Sequence, residues 1–494
     1  MGQYFYDVMK KEDLERLPYL PTIADLMEKC KKDYETYPAI SDKKTTYTYG
    51  ELYHRVARRR SYLASLGLKP GDRVAVMGKN TLDTMELYLA VTTGGYTVIM
   101  LPNALNAQAL AGISRRFELS LLIAQECFLP LTEGVACRVV NSADAIADTE
   151  APAADVKKDT VAAIYFTGGT TGAPKGAILT HGALMRGALN GTYYPRKHTF
   201  HSRFIAMLPL SHIFGSLMSF LSCLYTGGLI YTCEDMRAAI GDIPVVRPNV
   251  LVLVPGLAEI VLNIAKMKGK EFLGDLDTIA CGAAPVPPRL MADFRTFGIS
   301  LLAGYGLTEG ANLTCGNFDT DKKPDSMGKV YPCQEYKVVN GELWIRGDNV
   351  MVGYYKDPEK TAEVMEDGWL KTGDLVEFDE DGYIYIVGRI KNLIILSNGE
   401  NVSPEEIEEV FYRSPFVHDC LVSEDSVNGQ PAIAIEIRPY MPAFEGKSHE
   451  EIEAKLQEVV NEVNRELPTY KRVAKLKVRY EDFKRTGAMK IARN

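Results

Sequence analysis

Along much of the chain, hydrophobic positions alternate between two periods. The run Thr48-Tyr49-Gly50-Glu51-Leu52 opens a helical pattern in which Leu52, Val56 and Leu63 share one face, and the pattern ends near Gly67, ahead of the Pro70-Gly71 turn. Arg73 to Met77 then reads as a buried strand, Thr81 to Val91 as a helix carried by Met85, Tyr88 and Leu89, and Thr97 to Leu101 as the next strand. Strand and helix in alternation predict a doubly wound α/β sheet. Val161 to Phe166, Phe204 to Leu210, Val250 to Val254, Asp277 to Cys281 and Leu301 to Ala303 continue the strand series. Gln108 to Ala154 follows it less clearly, and the Ala/Asp-rich Ser142 to Asp155 reads as a surface connection.

The texture changes after Gly388. Leu393 to Leu396 is a short strand, Ser397-Asn398-Gly399 a turn, and Ser403-Pro404-Glu405-Glu406 a helix start with serine at the cap and proline in the first position. Ser448 to Arg465 is a charged amphipathic helix and Leu476 to Tyr480 a short strand. This reads as a small, separate α+β unit.

A chain of 494 residues, 46% hydrophobic and 24% charged, has a sizeable core and more than one domain. Its net charge of -8 provides no basic footprint for nucleic acid, so a bound polyanion has to be held by local groups. Nine cysteines without a C-x-x-C pair argue against a disulfide framework and for a reducing, cytoplasmic setting. The charged N-terminus lacks the apolar core of a signal peptide, and Tyr6 stands where a myristoylation signal needs Ser or Thr. The apolar windows Phe214 to Tyr231 and Val245 to Ala265 are broken by polar residues and proline, so no integral membrane segment is expected.

Candidate chemistry concentrates at strand ends. The strand ending at Phe166 runs into Thr167, Gly168, Gly169, Thr170, Thr171 and Gly172, then Pro174, Lys175 and Gly176. Glycines let backbone N–H groups turn inward as an anion nest, and three threonine hydroxyls add donors. This is a phosphate loop, but neither a Walker A loop, because Lys175 is followed by Gly176, nor the dinucleotide fingerprint. His212 follows another strand, where open α/β sheets bind ligands. Gly282, Ala283, Ala284 and Pro285 form a small-residue turn that lets a flat ring approach the backbone. In Gly304-Tyr305-Gly306-Leu307-Thr308-Glu309, an aromatic face, a hydroxyl and a carboxylate able to take Mg²⁺ stand together.

With Gly341 to Gly347 (GELWIRG), Gly368-Trp369, Thr372-Gly373-Asp374 and Gly388-Arg389-Ile390-Lys391, these motifs follow the order of the adenylate-forming superfamily, which the chain resembles from about Thr48 onward. The resemblance implies a large N-terminal domain, residues 1–388, of doubly wound sheets with a β-rich subdomain. It also implies a small mobile α+β lid, residues 389–494, hinged near Lys391. A carboxylate would attack the α-phosphorus of ATP, and a thiol would then take the acyl group from the adenylate. By resemblance, Thr167 to Gly172 and Lys175 hold the β- and γ-phosphates. Gly282 to Pro285, Tyr305 and Gly306 enclose the adenine, Thr308 bonds the α-phosphate and Glu309 ligates Mg²⁺. Asp374 and Arg389 bind the ribose, and His212 borders the carboxylate pocket.

Arg485 to Arg493 resembles the family's terminal T-x-x-G-K-[I/V]-x-R pattern, which makes Lys490 the lysine bridging carboxylate and ATP. Met489 departs from it, standing where glycine is common. By resemblance, members that activate amino acids place an aspartate near the His212 strand to meet the ammonium, and Ser211 to Gly215 contains no acidic residue, which disfavours amino acids as substrates. Phe214, Leu217, Met218 and Leu221 recur at helical spacing and are candidate lining for an apolar acyl pocket. The chain most resembles fatty acyl-CoA synthetases, with CoA as acceptor; a carrier-protein acceptor and a silent nucleotide-binding homologue are the alternatives.

Overall fold

The computed structural model describes residues 8–167, 174–194, 198–396, 401–427, 430–484, 491 and 493. Helix α1 (Tyr49–Ser65) begins as the sequence predicts, and its first turn is closed by a reciprocal cap. Thr48 accepts from the Glu51 N–H at 3.2 Å while the Glu51 carboxylate accepts from the Thr48 N–H at 2.8 Å. Leu52, Val56 and Leu63 are wholly buried. Helix α2 (Leu82–Thr93) is buried nearly all round and carries Glu86 into the core. That carboxylate is matched there by Arg59 at 2.5 Å and by Arg55. Arg59 also donates to the carbonyls of Ser142 (3.0 Å) and Ala145 (3.2 Å), so the Ala/Asp-rich connection is pinned to α1 by a buried cation.

Among the described residues, a seven-stranded sheet is built around β1 (Arg73–Met77), β2 (Thr97–Leu101), β3 (Val161–Thr167) and β4 (Lys175–Thr180). β1, β2 and β3 run parallel, and β4 turns back antiparallel to β3. A nine-stranded sheet contains the parallel series β5 (Arg203–Ile205), β6 (Val250–Leu253), β7 (Thr278–Cys281) and β8 (Ser300–Tyr305). β6 and β7 are buried at every position, as expected of strands covered on both faces. A third sheet, antiparallel, includes β9 (Trp369–Phe378) and β10 (Ile384–Arg389).

Two predicted elements differ. The run Phe204 to Leu210 is strand only to Ile205, because the Asn80 side chain donates to the carbonyls of Ala206 (2.7 Å) and Leu208 (2.8 Å) and takes them out of the ladder. The helix after Phe214 is π-helical over Gly215–Leu221, with the Ser222 hydroxyl donating to the Leu217 carbonyl at 2.7 Å.

Helix α3 (His181–Gly191) follows β4. His181 is wholly buried, its Nδ1 accepts from the Ile23 N–H at 3.3 Å, and burial pulls its pKa down to about 4. In the unfolded chain the ordinary value near 6.5 returns. The folded state therefore binds this proton less readily, and the contribution of His181 is complete above about pH 6.5 and lost as pH falls toward 4. We expect the thermal midpoint to drop between about pH 7 and pH 5, and His181→Asn to flatten that slope while lowering stability at neutral pH. Unfolding scans of both proteins across the range check this.

The C-terminal domain has its own core, formed by Ile407, Phe411, Ile435, Leu456 and Val460 among others. Helix α4 (Pro404–Tyr412) starts at Ser403, which accepts from the Glu406 N–H, and helix α5 (His449–Glu466) has a reciprocal Ser448/Glu451 cap. Among the described residues, no helix is long and apolar enough to cross a membrane.

Candidate active site

Most candidate groups lie at or just beyond the ends of strands. Thr167, the last residue of β3, pairs in register with Lys175, the first of β4, so the two strands bracket the glycine-threonine loop. Gly168, Gly169, Thr170, Thr171 and Gly172 lie outside the described residues. The Lys175 ammonium stands 4.8 Å from the centre of the Tyr354 ring, and the Tyr354 hydroxyl donates to Glu309 Oε1 at 2.7 Å. Tyr354 is brought there by the short strand Gly353–Tyr354, which pairs with β4 opposite Ala177. Glu309 lies with Thr308 in the single 3₁₀ turn Thr308–Gly310 that follows β8. Glycine is required at 306, since a Cβ there would overlap the carbonyl oxygen of Asn312, where the chain doubles back through the left-handed residues Ala311 and Asn312.

Asp374 forms the second focus and is 4% exposed. The Tyr305 hydroxyl and Arg389 Nε each donate to it at 2.5 Å. Asp374 and Arg389 face one another directly across β9 and β10. The approach to Asp374 is fixed from behind, where Glu342 Oε1 accepts from the Gly373 N–H at 2.8 Å and Thr372 donates to the Leu343 carbonyl at 2.7 Å. Burial, then the neighbouring carboxylate, push the Tyr305 phenol well above its usual pKa. Burial opposes the charge on Arg389, but Asp374 outweighs it and raises the guanidinium pKa further. Lys391 is exposed in the 3₁₀ turn Ile390–Asn392 immediately after Arg389.

His212 comes after β5, and the turn Gly282 to Pro285 follows β7 in the same sheet. Ala283 is held at φ 65°, a left-handed conformation that L residues rarely adopt. A Cβ on Gly282 would lie 3.3 Å from the Phe214 ring and 3.4 Å from the Gly304 carbonyl, so both close on this glycine. His212 is half-buried, and its Nδ1 accepts from the Phe214 N–H at 3.2 Å, which assigns the ring proton to Nε2. The apolar stripe divides. Leu217 and Met218 point onto α3, where Gly187 and Gly191 leave room for them, and Leu221 is wholly buried; of the four, Phe214 is the one that reaches Gly282.

Lys490 lies outside the described residues. Arg493, near it, donates to the Val422 carbonyl at 3.0 Å and pairs with Glu408, tying the end of the chain to the small domain. Sequence reasoning missed Tyr354 and Glu342. The residue type gives Tyr354 no distinguishing mark, and Glu342 lay inside a motif whose carboxylate had no assigned task.

The AMP-binding enzyme pattern matches residues 27–355, and that of the AMP-binding enzyme C-terminal domain matches residues 391–494. The chain belongs to the AMP-binding enzyme family. It is similar to a feruloyl-CoA synthase of an Amycolatopsis species, 33% identical over 76% of this chain and 80% of that protein. A long-chain-fatty-acid–CoA ligase of Escherichia coli O157:H7 is 30% identical over 83% of this chain and 86% of the relative. In structure it resembles the anthranilate CoA ligase AuaEII in complex with anthranoyl-AMP, with a TM-score of 0.84 at 20% identity over 98% of this chain and 97% of the other. Within the family the enzyme is a carboxylate–CoA ligase of the AMP-forming type.

Proposed function

We propose that this enzyme activates an apolar carboxylic acid, fatty or aryl, as its acyl adenylate and passes the acyl group to CoA. In the first step a carboxylate oxygen forms a bond to the α-phosphorus of ATP and the bond to the bridging oxygen breaks, releasing pyrophosphate. In the second, the CoA sulfur, as thiolate, attacks the acyl carbonyl and AMP leaves with the electron pair of the acyl C–O bond.

The observation that supports this reading is a pair of side-chain groups of opposite task, one around Asp374 and one around Glu309. Asp374, held by Tyr305 and Arg389, offers carboxylate oxygens to the two hydroxyls of a ribose. Lys175 and Glu309, joined through Tyr354, would take the triphosphate. Glu309 supplies the hard oxygen that Mg²⁺ prefers, and the ion's charge would neutralise phosphate oxygens. Thr167 to Gly172 and Lys175 would hold the departing pyrophosphate, Thr308 the α-phosphate, and Gly282 to Pro285 with Tyr305 and Gly306 the adenine. His212 would border the carboxylate, and Lys490 would be delivered by the C-terminal domain turning about Lys391.

Incubating the protein with ATP, Mg²⁺ and a panel of aryl and linear acids tests the proposal. Pyrophosphate release that depends on the acid, and AMP with acyl-CoA when CoA is added, are expected. Acid-dependent pyrophosphate without a CoA product would overturn the choice of acceptor, and silence across the panel would overturn ligase chemistry.

A further inference from the structure

At the amino ends of β5, β6 and β7, opposite to the ends that carry the candidate active site, the nine-stranded sheet borders a cavity of about 610 Å³. Asn249 stands just before β6 and Asp277 just before β7, and the Asp277 N–H donates to the Asn249 carbonyl at 3.1 Å, so the two are neighbours on the cavity floor. Along β7, about 16 Å of extended chain separates Asp277 from Gly282. Phe200 and Phe297 also line the cavity, and the Arg16 guanidinium, 3.8 Å from the ring centre, covers one face of Phe200.

Each of the two floor residues has one side-chain atom satisfied and one left over. Asn249 is 9% exposed; its Oδ1 accepts from the Arg203 N–H at 3.1 Å, which fixes the amide and leaves the Nδ2 hydrogens without a partner among the described residues. Asp277 is 8% exposed; its Oδ1 accepts from the Thr278 hydroxyl at 2.6 Å, and among the described residues Oδ2 has no partner. The guanidiniums of Arg203 (2.6 Å) and Arg247 (3.1 Å) donate to Asp275 instead. A carboxylate so deeply buried without a cation needs further donors, and they have to come from the cavity side. Lys270, exposed at the rim, makes no ion pair among the described residues; its Nζ lies 3.6 Å from where a Cβ on Gly298 would stand.

We infer that this cavity is a second binding site, separate from the candidate active site, for a purine nucleoside monophosphate. An acceptor, Asp277 Oδ2, beside a donor, Asn249 Nδ2, matches the edge of a nucleobase, where an N–H group adjoins an acceptor. The phenyl rings of Phe200 and Phe297 supply apolar faces for stacking, which a two-ring base uses more fully than a one-ring base, and the Lys270 ammonium supplies the charge for a phosphate. The volume admits a ligand of that size. The inference does not depend on the ligase reading.

Equilibrium dialysis of the full chain with AMP and with GMP tests it, in the wild type, Asp277→Asn, Asn249→Asp, Lys270→Ala and Asp374→Asn. The first two substitutions keep the Oδ1 contacts and alter only the leftover atom. Lys270 is exposed, so its truncation keeps the test open if either of the others fails to fold. A binding event is expected for at least one nucleotide that survives Asp374→Asn and weakens by at least about tenfold in each folded cavity variant. Ribose 5-phosphate and adenosine, each lacking one half of the ligand, should bind there at least about tenfold more weakly than that nucleotide. Nucleotide binding that vanishes with Asp374→Asn, or that is indifferent to Lys270→Ala, overturns the site. Ribose 5-phosphate binding as tightly as the nucleotides overturns the base recognition, and the proposal with it.

Discussion

Replacing Lys490 with alanine should lower carboxylate-dependent pyrophosphate release by about 10²- to 10³-fold, while transfer from supplied acyl adenylate to CoA stays within about threefold of wild type. The asymmetry follows from the charges. The first half-reaction brings a carboxylate to a polyphosphate, and a cation must bridge two anions that otherwise repel. In the second, one of those anions has become part of a mixed anhydride and pyrophosphate has left, so the same ammonium has far less to offset. A compact ammonium on a flexible stem suits a contact made in one step and withdrawn in the next. Lys490→Arg should rescue little, because a planar guanidinium does not substitute for a compact ammonium at a point contact. Separate assays of the two half-reactions decide the matter, and equal loss in both would sink the role.

What the sequence disclosed and what it withheld divide along the range of the interactions. Helix α1 was readable from Thr48 to Leu63 because its cap and its buried face are local patterns, and β6 and β7 because both faces are apolar. The early end of β5 was not readable, because Asn80, distant in sequence, diverts the carbonyls of Ala206 and Leu208. The stripe from Phe214 to Leu221 had the spacing of a pocket wall, yet Gly187 and Gly191 on α3 draw Leu217 and Met218 away, and only contacts between elements reveal it. Asp374 and Arg389 could be named by resemblance, but their facing register across β9 and β10 is a property of the folded sheet. Tyr354 was lost for the same reason: a tyrosine becomes a partner of Glu309 only when strand Gly353–Tyr354 pairs with β4.

That register gives Asp374→Asn its expected effect. The carboxylate accepts from a phenol and a guanidinium, both at 2.5 Å, and is proposed to accept from a ribose as well. An amide of the same shape loses the charge and turns one acceptor into a donor, which then faces the Tyr305 hydroxyl or the Arg389 fork. Hydrogen bonds to a charged group are worth about 1.5–3 kcal/mol each, so weakening those that hold the nucleotide should raise the KM for ATP by about 10- to 100-fold. The KM for the acid should hardly move, since the partners of Asp374 are Tyr305 and Arg389, the groups proposed to hold the nucleotide. Tyr305→Phe removes one donor and leaves the charge paired with Arg389, so its KM for ATP should rise by no more than about tenfold. Measuring both Michaelis constants for the two variants separates the outcomes. An unchanged KM for ATP alongside a raised KM for the acid would move Asp374 out of the nucleotide site and make its contact with Arg389 purely a brace between β9 and β10.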